Sequence, residues 1–147
     1  MITSRKMVTE LIVAAKVQKQ LKWVDVAKQV GKSKEWTTAA CLGQMQMTKE
    51  QAEIVGKIFG LEDEAVAWLQ IVPYKGSEGV GNDPLIYRLN EALSVYGPSI
   101  KELVHEEFGD GIVSAIDFSL DVQREKNENG DRVNMVWSGK FLPYKSF

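Results

Sequence analysis

A chain of 147 residues, 44% hydrophobic and 26% charged, has ordinary globular composition and enough length to bury a core without staples. No apolar run approaches the roughly 18 residues that a bilayer span needs, and the single cysteine, Cys41, excludes an intrachain disulfide. The net charge of −2 divides into +3 over residues 1–75 (11 basic, 8 acidic) and −5 over residues 76–147 (7 basic, 12 acidic), so neither half announces nucleic acid by charge alone.

In chain order, Met1-Ile2-Thr3-Ser4-Arg5-Lys6 lacks the apolar stretch and cleavage site of a secretory signal, and a cytoplasmic protein is expected. Thr3 or Ser4 can cap a helix running to about Gln20, with Met7, Leu11, Ala14 and Ala15 on one face. A second helix is expected from Trp23 to Val30, stopped by Gly31. Ser33 caps a third, whose Trp36, Ala40 and Cys41 point inward and which Gly43 ends. Thr48-Lys49-Glu50-Gln51 is a capping box that starts a fourth helix, carrying Ile54, Val55, Ile58 and Phe59 and stopping at Gly60. A fifth covers Glu62 to Leu69, before Pro73. Cys41, in an Ala-Ala-Cys-Leu run, reads as a buried structural thiol rather than a nucleophile.

Residues 74–82 hold three glycines in nine residues without periodicity and read as a linker between a domain at 1–73 and another at 83–147. Asp83-Pro84 pairs an N-cap with proline at the first helical position. That helix is expected to yield at Gly97, and Pro98-Ser99 to start another that ends at Phe108. Ile116, Phe118, Leu120 and Val122 alternate with polar residues as in a half-buried strand. Residues 127–131, with Asn129-Gly130, form a hairpin loop, and Val133, Met135 and Trp137 alternate on the way back. The tail Gly139-Lys140-Phe141-Leu142-Pro143-Tyr144 is too apolar to hang free. Helices and one hairpin make a poor core, so another subunit is expected to complete this half.

Asp25-Val26-Ala27-Lys28-Gln29-Val30-Gly31-Lys32-Ser33 resembles the turn of a helix-turn-helix, and the five-helix layout resembles phage-repressor DNA-binding domains. A DNA-binding transcriptional regulator is therefore the alternative reading. Against it, Lys34-Glu35-Trp36-Thr37-Thr38 is poor in the Arg, Asn and Gln that match base edges, and Glu35 would repel phosphates. No nucleic-acid or membrane partner is expected, and the bundle reads as scaffold.

On a helix, Arg88 and Glu91 share a face. By spacing alone they read as a surface ion pair. His105, the only histidine, could be a general base, but it lies beside Glu106 and Glu107 and reads as structural or as a surface residue. The sequences Tyr87-Arg88-Leu89-Asn90-Glu91, Val95-Tyr96-Gly97, the run from Leu103 through His105-Glu106-Glu107-Phe108-Gly109-Asp110-Gly111 to Ser114-Ala115-Ile116, and Gly139-Lys140-Phe141-Leu142-Pro143 together resemble the cyanase family. The resemblance spans nearly the whole chain.

It implies an α+β chain: a repressor-like helical bundle, then a small helix-plus-β-hairpin domain for dimerisation and catalysis. It places catalytic roles on Arg88, Glu91 and Ser114, and substrate binding on Arg88, Ser114, the backbone of Ala115, and Leu142. The implied activity is cyanate hydratase: cyanate and the co-substrate bicarbonate give carbamate and CO2, and carbamate decays to ammonia and CO2. It implies no cofactor and no metal. The implied partners are the two small anions and further copies of the chain, in a decamer of five dimers.

Overall fold

The computed structural model describes residues 1–74 and 81–145; the part of the expected linker at residues 75–80 lies outside them, as do residues 146–147. The chain divides into two compact units, Met1–Ser77 and Glu78–Phe147.

The first unit is helical: α1 (Arg5–Gln18), α2 (Trp23–Val30), α3 (Lys34–Cys41), α4 (Lys49–Phe59) and α5 (Asp63–Leu69). Local chemistry sets the helix ends. Ser4 accepts from the Met7 N–H and Ser33 from the Trp36 N–H, each filling an orphan donor of a first turn. Thr48 and Gln51 form the reciprocal capping box, with bonds of 3.3 and 2.9 Å. Gly31 and Gly60 close α2 and α4 in the left-handed region, at φ 80° and 69°, where a Cβ would be strained.

Val8, Ile12, Val26, Val55, Phe59 and Leu69 anchor the core of this unit. Each such side chain stabilises by about 1.5–3 kcal/mol on burial. The buried face of α1 lies one residue away from the expected stripe: Val8 and Ile12 are inside, whereas Met7 is 37% and Leu11 44% exposed. Periodicity admits both stripes, because apolar residues stand at 7, 8, 11, 12 and 13. Contact with α4 and α5 selects one of them. Arg5 reaches the C-terminal end of α3, donating to the Ala40 carbonyl and to Thr9 Oγ1. A cation there complements the helix dipole.

The second unit is one long helix, α6 (Pro84–Phe108), and an antiparallel hairpin, β1 (Gly111–Glu125) and β2 (Arg132–Pro143). Asp83 caps α6 through Oδ1, which accepts from the N–H groups of Leu85 (2.9 Å) and Ile86 (3.0 Å). The expected break at Gly97-Pro98 does not occur; α6 runs through it for 25 residues. Pro98 withholds one N–H from the ladder. However, the usual obstacle to helix before a proline is a clash of the ring with the preceding Cβ, and Gly97 has none.

The hairpin turns at residues 127–131, where the Asn129 N–H donates to Asn127 Oδ1 at 2.9 Å. From Phe118 onward the strand alternates as expected: Leu120 pairs with Trp137 and Val122 with Met135. Phe118 and Trp137 meet edge to face at 6.0 Å. Strand β1 begins earlier than the alternation suggested, at Gly111, and the tail is its partner: Gly111 pairs with Pro143, and the Tyr144 N–H donates to the Asp110 carbonyl at 3.0 Å. Helix and hairpin are joined at one end, where the His105 Nε2–H donates to the Gly111 carbonyl (3.1 Å) and the Phe108 and Phe141 rings lie 5.3 Å apart. No residue of α6 is buried.

Candidate active site

Arg88 and Glu91 sit one turn apart near the start of α6. Arg88 Nη1 donates to Glu91 Oε2 at 2.8 Å, and the side chains are 71% and 54% exposed. The guanidinium also lies 5.6 Å from the centre of the Tyr87 ring. In water such a pair is worth a few tenths of a kcal/mol, too little to explain by stability why both residues are there. One bond to Glu91 fixes the guanidinium and leaves most of its donor fork for another acceptor.

Ser114 stands in a break of the hairpin ladder. Val113 pairs with Phe141, but the next pair is Phe118 with Gly139, so residues 114–117 face Lys140 alone. This enlarged β-bulge, four residues against one, bends the strand and turns Ile116 outward, leaving it 97% exposed and outside the expected alternation. Ser114 is buried and closes the bulge on itself: its Oγ accepts from the N–H of Ile116 (3.1 Å) and of Asp117 (2.9 Å). A hydroxyl has two lone pairs and one proton. With both lone pairs engaged, the Ser114 proton is left to donate. The site thus offers a fixed donor, polarised by the bonds it accepts. Ala115 follows within the bulge, and Leu142 pairs with Ile112 just before it.

The structure therefore pairs Arg88 with Glu91, and sets Ser114 and Ala115 in the bulge with Leu142 opposite Ile112 before it, as two separate groups. Among the described residues no hydrogen bond or ion pair joins one group to the other. Arg88 precedes Phe108 by 20 residues of continuous helix, about 30 Å at 1.5 Å per residue. Phe108 is where α6 meets Phe141, the partner of Val113 beside Ser114. The helix is thus a strut that holds the guanidinium far from the bulge of its own chain.

Two neighbours of the bulge stood in the quoted tail motif without a site role of their own. Gly139 and Lys140 border a groove of about 360 Å³ together with Asp117, Phe118, Ser119 and Ser138. The available signal was the loss of alternation at Ile112-Val113 and Ala115-Ile116, which a regular strand would not show.

Other candidates fall to structural roles. His105 tethers the end of α6 to Gly111, with Nδ1 3.7 Å from Asp110 Oδ1. Cys41 is fully buried in the first unit, and burial pushes its thiol up to about 12 despite the opposing charge of Arg5. At the half-buried start of α3, Lys34 is paired with Glu35 at 2.6 Å, and Thr37, Ala40 and Cys41 face inward. Among the described residues no group of three or more His, Cys, Asp or Glu is placed to hold a metal ion, and no helix is long and apolar enough to cross a membrane.

Comparison with known proteins covers both units. Residues 5–73 match the family described as "Cyanate hydratase, N-terminal", and residues 78–146 match the "Cyanate lyase C-terminal domain". The chain is 64% identical over 146 residues to the cyanate hydratase of Variovorax paradoxus, covering 98% of this chain and 99% of that protein. It is 65% identical over 146 residues to that of Methylibium petroleiphilum, with the same coverage. The crystal structure of cyanase from T. urticae superposes with a TM-score of 0.81 at 40% identity, over 92% of this chain and 96% of that one. With an α+β architecture, two matching domains and relatives this close along their full length, the chain belongs to the cyanate hydratase family of lyases.

Proposed function

We propose that the protein decomposes cyanate in a bicarbonate-dependent reaction, at sites that Arg88 and Glu91 of one subunit form with Ser114 and Ala115 of another. The observation that carries this reading is the separation of the two groups by the length of α6, with the Arg88–Glu91 pair exposed and the Ser114 donor fixed. Residues 83–147 are the catalytic part and residues 1–73 the scaffold. The assembly is a decamer of five dimers.

The reaction must bring two anions together. At about 4 Å, two like unit charges repel by about 1 kcal/mol in water and about 4 kcal/mol at an effective dielectric near 20. Arg88 offsets that repulsion with a positive charge and a planar fork matched to carboxylate-like oxygens. A bicarbonate oxygen adds to the cyanate carbon. The bond from the bicarbonate carbon to that oxygen then breaks, releasing CO2 and leaving carbamate. The bicarbonate proton and one from solvent end on nitrogen, and Glu91 relays a proton there while holding Arg88 in place. Carbamate takes up a further proton and falls apart to ammonia and a second CO2.

Ser114 and the Ala115 N–H donate to the oxygens of the adduct, where negative charge gathers. Leu142 borders the same pocket. Much of the acceleration comes from holding two small reactants in one orientation, which needs no covalent intermediate. Bicarbonate is a co-substrate in this scheme and no other cofactor takes part. Ammonia release from cyanate, measured in CO2-free buffer and with added bicarbonate, tests the reading. Release that depends on bicarbonate is expected; equal release without it would refute the co-substrate role.

A further inference from the structure

We infer that Gly139 is a positioning residue for the Ser114 hydroxyl, because only the absence of a side chain on β2 lets the bulge of β1 close against it. The inference rests on the role proposed above for Ser114. A Cβ on Gly139 would stand 2.5 Å from Val113 Cγ1 and 2.6 Å from the Ser114 carbonyl oxygen, with Phe118 Cδ2 at 3.4 Å. Non-bonded carbons settle at about 3.5–4.0 Å, so the first two approaches cannot persist. Gly139 is not among the positive-φ glycines, so space rather than backbone conformation demands glycine there.

Neither neighbour yields easily. Val113 is β-branched and stiff about χ1. The carbonyl belongs to Ser114 itself, so moving it moves the Cα that carries the hydroxyl. Gly139 also pairs with Phe118, where the ladder resumes after the bulge. A displacement there is passed to both N–H groups that hold Ser114 Oγ, those of Ile116 and Asp117. Catalytic groups work only within about 0.5 Å of their geometry. A misplacement of about 1 Å lowers turnover by about 100-fold.

The test is a double-mutant cycle in the full-length protein, with assembly checked by sedimentation. Gly139→Ala is expected to lower kcat for cyanate by about 100-fold. In a Ser114→Ala background it should cause little further loss, because the hydroxyl it misplaces is already gone. A Gly139→Ala protein with wild-type kcat would overturn the inference. So would the same fractional loss in the Ser114→Ala background, the mark of a general packing defect.

If Gly139→Ala does not assemble, the Val113→Ala/Gly139→Ala protein decides. It removes the side-chain collision and keeps the carbonyl one, so its kcat should stay far below that of Val113→Ala alone; recovery to that level would overturn the inference. An impaired Ser114→Ala protein beside an unimpaired Gly139→Ala protein sinks only the role of Gly139. An unimpaired Ser114→Ala protein sinks the role of Ser114, and this inference with it.

Discussion

Ser114 already accepts two backbone bonds through its hydroxyl oxygen, which fixes the direction of its proton and leaves it poorly placed to act as a nucleophile. Ser114→Ala should therefore lower kcat by about 100-fold, the usual cost of one preorganised donor. Arg88→Lys keeps the charge but loses the fork, and a comparable loss is expected in steady-state assays. Wild-type turnover in either variant would remove that residue from the mechanism. Cys41 makes a different prediction. Its thiol is raised to about 12 by burial, so the folded chain keeps the proton that the unfolded chain gives up at its ordinary value near 9. The stabilisation is whole below about pH 9 and fades as pH rises toward 12. Denaturation midpoints should fall more steeply over that window in the wild type than in Cys41→Ala. Identical slopes would contradict the burial argument. The thiol's role was legible in its apolar neighbours. The role proposed for Arg88 and Glu91 was not legible in spacing, because an i,i+3 pair looks the same at an active site and on a bare surface. Only the longer family pattern around them singled the pair out.

Among the elements, those with strong end signals were the most legible. Ser33, the capping box at Thr48 and Gln51, and the glycines after α2 and α4 each mark an end by a local bond or a local conformation. Thr48→Ala should lower the stability of the first unit by about 1 kcal/mol in urea titrations, the usual cost of a lost N-cap. An unchanged midpoint would show that the cap is redundant. Elements were misread where two physical tendencies compete. Pro98 argues for a break, whereas Gly97 removes the clash that enforces one, and α6 stays continuous. The face of α1 was ambiguous because its apolar residues supply two overlapping stripes, which only contact with α4 and α5 resolves. The bulge at residues 114–117 was hidden by treating the strand as regular from Ile116, although the adjacent apolar pairs before it already broke the alternation. That irregularity carries Ser114, so the serine proposed for catalysis stands in the least regular part of the hairpin.

For the molecule as a whole, the second unit exposes what a stable fold would cover. Leu85, Ile86, Leu103 and Phe108 of α6, and Val133 and Trp137 of the hairpin, are all exposed, and none of the residues of α6 is buried. Apolar surface gains about 25 cal/mol per Å² on burial, and a lone two-stranded hairpin is marginal in water. Copies of the chain packed on these faces would stabilise the unit and bring the Arg88–Glu91 pair of one subunit to the Ser114 bulge of the next, as closed symmetry allows. An isolated monomer or dimer should then be inactive, and dilution or mild denaturant that dissociates the assembly should abolish turnover in step with sedimentation. The most direct measurement mixes two impaired proteins, Arg88→Ala and Ser114→Ala, by dissociating and reassembling them together. Sites built from two subunits predict that the mixed assemblies regain bicarbonate-dependent ammonia release, because some sites receive an intact arginine from one chain and an intact serine from another. Mixed assemblies that form, as shown by sedimentation or mass spectrometry, yet stay as impaired as their parents would contradict the account.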